Sequence, residues 1–125
     1  MTGQDVLRRA LQLLGYTDSF GEPDGRNHAE VYKRALAVTE QLVCELCVQT
    51  GATLPAPLRS LREELPLPPH IVRGVLPYGV AMHLAAAEGD GDNQALFAAL
   101  YDQKRTAMQR HLEHRTDRLP RGWDL

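Results

Sequence analysis

A chain of 125 residues, 43% hydrophobic and 24% charged, is sized for one soluble domain and can bury roughly two-thirds of the surface its unfolded form exposes. A net charge of −2 argues against a general nucleic-acid coat, and two cysteines are too few for a disulfide framework, so a reducing intracellular compartment is expected. The charge is unevenly placed, with +4 between Lys104 and Arg121 and −6 over the remainder, which fits either docking on a charged partner or a solvated helix face with a basic tail.

At the start, Asp5, Arg8 and Arg9 interrupt the apolar core that a signal peptide needs, and none is expected. Thr2 with Asp5 three positions on has the form of a capping box. Val6, Leu7, Ala10, Leu11 and Leu14 follow at helical spacing until Gly15, which predicts a first helix. The stretch YTDSFGEPDGRN reads as an ordered loop. Asn27 and Glu30 repeat the capping pattern, and Tyr32, Ala35, Leu36, Thr39, Leu42, Val43 and Leu46 predict a second helix of more than five turns ending at Gly51.

Five prolines between Ala52 and Pro69 remove amide donors and predict an extended connector. Within it Leu58, Leu61, Leu65 and Leu67 could pin the chain to the core or form a short edge strand, and a single helical turn over 60–64 is equally open. Pro69 can open a short helix over 69–75. Pro77 either kinks that helix or begins another, from about Pro77 to Glu88, while Gly79 allows a neighbouring backbone to approach. The longest apolar run, Ile71–Ala87, has 17 residues and contains Arg73, Pro77 and His83, so no bilayer span is expected.

Gly89 ends the helix and Asp90 or Asp92 caps the next, which carries Leu96, Phe97, Leu100, Tyr101, Ala107, Met108 and Leu112 on one face. Lys104 shares that face, its aliphatic stem along the core and its ammonium in water. The remaining TDRLPRGWDL is polar but keeps Leu119, Trp123 and Leu125. Those groups need a surface, either the chain's own bundle or another subunit. The pattern as a whole predicts an all-α fold: a small bundle of four to five helices over 1–118, a proline-rich extended connector, and an extended tail over 119–125.

Chemistry is sparse. Cys44 and Cys47, with His111 and His114, supply zinc-ligand types, but 63 residues separate the pairs, both fall inside predicted helices, and H-x-x-H is shorter than the usual spacing. Cys44 and Cys47 also lie deep in a helix rather than at its N-terminus, so core or half-buried thiols are expected. GDGDN lacks the order of a calcium loop, and no phosphate loop or nucleophile elbow is present. His83 reads as a core or interface histidine. The expectation is a protein without catalytic residues, metal or cofactor.

The segment ELPLPPHIVRGVLPYGVAMHLAAAEGDGDNQALFAALYDQKRTAM, Glu64 to Met108, about a third of the chain, resembles the head-tail connector (adaptor) proteins of tailed bacteriophages. The likeness lies in an apolar loop and L-P followed by LPYG-A-LA, an acidic-glycine break, and a helix of the form A-x-F-x-x-x-Y-x-x-x-R. It implies a structural virion protein of the neck, assembled in the host cytoplasm without a membrane. About twelve copies would form a ring beneath the portal, extending a channel through which DNA passes without sequence-specific binding and receiving the stopper or tail. Carried onto this chain, Leu119, Pro120, Arg121, Trp123 and Leu125 become the candidate portal-docking segment. Pro77, Tyr78, Gly79, His83, Phe97 and Tyr101 become candidate subunit-interface or packing residues. The alternative is a small helical DNA-binding or packaging-accessory protein that sets the basic Lys104 to Arg121 segment on phosphates.

Overall fold

The computed structural model describes residues 1–22 and 29–118. The fold is all-α, with five helices among the described residues: α1 Gly3–Leu14, α2 Ala29–Thr50, α3 Pro69–Gly74, α4 Leu76–Ala87 and α5 Gly91–Arg118. Asn27, the expected cap of α2, and Leu119 to Leu125 lie outside the described residues.

Helix α4 is the centre. It carries no charged residue, and it packs against α1, α2, α3 and α5, as a helix apolar on all sides must. Leu76, Val80, Ala81, Leu84 and Ala85 are fully covered, each of the larger ones stabilising the fold by about 1.5–3 kcal/mol. Against them α1 lays Val6, Leu7, Ala10, Leu11 and Leu14, and α2 lays Leu42, Val43 and Leu46.

The helix ends follow local chemistry. Thr2 and Asp5 form a reciprocal capping box at α1: the Asp5 amide donates to Thr2 Oγ1 and the Thr2 amide to Asp5 Oδ2. Gly15 and Gly89 adopt the left-handed conformation just past α1 and α4. Pro77 falls in the first turn of α4, where its missing amide costs nothing, so it begins a helix and kinks none. Val75 alone separates α3 from α4.

The connector over 52–68 holds neither helix nor strand. Of the three alternatives the sequence left open, the leucine pins are observed: Leu58, Leu65 and Leu67 are buried and Leu61 is half-buried. Two of its backbone bonds go to the start of the chain, from Gln4 N to Leu61 O at 2.9 Å and from Leu65 N to Met1 O at 3.0 Å, forming an isolated bridge between Thr2 and Glu64. The chain enters α1 at Gly3, so the pairing of Thr2 with Glu64 does not lengthen into a strand.

Candidate interface at the free end of the last helix

The six packing candidates are largely spent inside the bundle. Pro77, Gly79, Phe97 and Tyr101 are buried, and Tyr78 and His83 are half-buried. Tyr78 meets Phe97 with ring centroids 6.2 Å apart. The close approach at Gly79 is made by a side chain, correcting the expectation of a neighbouring backbone: a Cβ there would stand 2.8 Å from the Tyr101 ring and 3.1 Å from Leu42 Cδ1. Gly79 is thus the socket that lets the α5 ring reach α2 across α4.

That packing leaves two hydroxyls, Thr39 Oγ1 and Tyr101 OH, buried with no hydrogen-bond partner. Burial pushes the Tyr101 phenol up to about 12, with Glu45 adding to the rise and the Arg105 guanidinium, 5.4 Å from the ring, opposing it. Lys104 refines its expected position: its Nζ sits 4.3 Å from the Tyr78 ring centroid, a cation–π contact that anchors α5 to α4.

At the other end of α4, Asp90 caps α5. It accepts from the Asn93 amide at 3.3 Å and from Asn93 Nδ2 at 2.7 Å, and Tyr16 OH donates to its carboxylate at 2.8 Å. These bonds, Tyr16's first, hold the Asp90 carboxyl below its ordinary value. Asp92, the other candidate cap, is exposed in the first turn.

Helix α5 is more than twice as long as α4, about 42 Å against 18 Å at 1.5 Å per residue, so its second half outruns the helix it packs on. Tyr101 and Met108 mark the end of its buried stripe; beyond them Leu112 is half-buried, and Arg110, His111 and Glu113 are exposed. Gln49 and Arg105 tie this region to α2 by reciprocal bonds of 3.0 and 3.2 Å. A groove opens on either side. One, of ≈ 290 Å³, lies towards α3 and is lined by His70, Val75, Lys104, Met108, His111 and Leu112 among others. The other, of ≈ 400 Å³, lies towards the end of α2 and is lined by Val48, Gln49, Thr50, Gln109, Leu112 and Glu113 among others. Val48 is 67% exposed, and Leu54 just past α2 is 61% exposed.

Cys44 is half-buried and Cys47 buried, both free thiols, with the Cys47 thiol pushed up by burial and by the neighbouring Cys44. Among the described residues no group of three or more metal-ligating side chains forms. The side chain of His114 and the whole docking segment Leu119, Pro120, Arg121, Trp123 and Leu125 lie outside the described residues. Among those described, no helix is long and apolar enough to cross a membrane.

No family model matches the chain, and no curated protein or solved structure matches it.

Proposed function

We propose that this chain is a head-tail connector of a tailed phage, a non-enzymatic subunit whose copies ring the DNA channel beneath a portal and receive the stopper or tail. The sequence likeness over Glu64 to Met108 motivates the reading. The observation that carries it is the second half of α5, which outruns α4, is flanked by two grooves, and leads directly into the apolar-bearing tail. Val48, exposed in the groove beside that helix, and Leu54, exposed in the connector just past α2, are apolar surface to cover. Heterologous contacts between identical copies close into rings when the rotation permits. In this reading Leu119, Pro120, Arg121, Trp123 and Leu125 dock on the portal, with Trp123 as the aromatic anchor.

Sedimentation of the chain with its cognate portal tests the reading. A ring-sized complex is expected, lost when Leu119 to Leu125 is deleted while helicity by circular dichroism is retained. A chain that ignores the portal at every salt concentration, but binds duplex DNA through Lys104 to Arg121, would replace the connector with the DNA-binding alternative.

A further inference from the structure

Helix α1 turns one face outward, and Asp5, Arg8, Arg9 and Gln12 lie along it at helical spacing, all exposed. Helix α3 brings Arg73 to the same place, and with Met1 these residues frame a concavity of ≈ 380 Å³. Three guanidinium groups therefore share one hollow.

Their charges are unequally met. Arg8 is held by Glu22, Nη2 to Oε1 at 2.7 Å. Asp5 is engaged in the α1 cap, accepting from the amide and hydroxyl of Thr2. Arg73 donates through Nε to Met1 Sδ at 3.2 Å, a thioether and a weak acceptor that a carboxylate readily displaces. Arg9 makes no ion pair or hydrogen bond with any described residue. Two planar donor forks thus face the hollow without a carboxylate, the group their geometry matches in bidentate fashion.

We propose that this concavity binds a glutamate or aspartate side chain of an acidic protein segment, with Arg9 and Arg73 as its ligands. The charge balance decides the class. Against three guanidiniums and the Met1 ammonium stand the carboxylates of Asp5, Glu22 and Glu64, the last paired with that ammonium at 2.8 Å, so the hollow carries a surplus of one positive charge, which one carboxylate neutralises. A nucleic-acid backbone would instead run a series of phosphates past these acidic groups. The Met1 side chain supplies an apolar wall for the methylenes of a glutamate. The site stands whether or not the chain forms a ring, since it shares no lining residue with either groove beside α5.

The test is a titration of the full ¹⁵N-labelled chain with a capped hexapeptide of alternating Glu and Gly at low salt, following the arginine Nε–Hε resonances. Inorganic phosphate and a short DNA duplex are run in parallel. Arg9 and Arg73 are expected to shift saturably with the peptide, and added salt should reverse the shift. Arg9→Gln and Arg73→Gln should each weaken binding several-fold with unchanged melting curves, whereas Arg110→Gln on α5 should leave it intact. Shifts of equal size at Arg110, a response to phosphate or DNA that exceeds the response to peptide, or no saturable shift would each overturn the assignment.

Discussion

At the residue scale, the contact between Gly79 and Tyr101 is a tight constraint at the centre of the bundle. A Cβ at 79 meets the Tyr101 ring at 2.8 Å and Leu42 Cδ1 at 3.1 Å, and both side chains are buried, with little room to give way. Gly79→Ala is therefore expected to destabilise the protein by about 1–3 kcal/mol in urea unfolding, as overpacking does. Gly74→Ala is the control, because a Cβ there meets nothing within 4 Å and a helical glycine gains up to about 1 kcal/mol on becoming alanine. Equal effects at the two positions would remove the socket from the account. Tyr101 itself buries a hydroxyl without a partner, a cost that Tyr101→Phe relieves. That variant should be more stable by up to about 1 kcal/mol. The sign with pH follows from a folded phenol pKa raised from its ordinary 10.0 to about 12. Stability from the neutral phenol is complete below 10.0 and is lost as the pH rises towards about 12, so the alkaline decline should shrink in Tyr101→Phe. Thermal melts across that window measure it.

At the element scale, much of the fold was legible because helix ends are written in local chemistry. The Thr2–Asp5 box, Pro69 and Pro77 in first turns, and Gly15 and Gly89 past last turns act within four residues of where they stand. The connector was ambiguous for the opposite reason: its leucines fit a strand or a helical turn locally, and only the start of the chain, some sixty residues away, decided their use. The tie between Tyr16 and Asp90 was not readable either, since 74 positions separate the partners and each residue had a sufficient local role. That tie fixes the end of α1 to the α4–α5 corner. Tyr16→Phe is therefore expected to lower the melting temperature at neutral pH. Because the bond holds the Asp90 carboxyl below 3.8, its contribution exists above that pH and fades as the acid is protonated. The difference between Tyr16→Phe and the parent chain should narrow in acid well below 3.8. A difference independent of pH would assign the effect to packing rather than to the hydrogen bond.

At the scale of the whole molecule, the uneven charge seen in the sequence acquires a position. The basic stretch opens at Lys104, which packs on Tyr78 of α4, and continues through Arg105 to the exposed Arg110 on the second half of α5. The candidate interface was only half legible for a related reason. Pro77, Gly79, Phe97 and Tyr101 carry the sequence likeness, but their side chains are consumed in folding one subunit, and the uncovered surface lies on either side of Leu112. Local opening costs least where few apolar groups are buried, and over 109–113 no residue is fully buried and Leu112 is the one apolar side chain. Hydrogen exchange of the isolated chain should therefore be fast over 109–113 and slow over Val80–Ala85, whose residues are all buried or half-buried. The proposed connector function predicts that adding a portal slows exchange over 109–113 and along the flanking end of α2 at Val48–Thr50, with α1 unchanged. Protection that appears on α1 instead would move the docking surface to the opposite flank of the bundle and detach the tail of α5 from assembly.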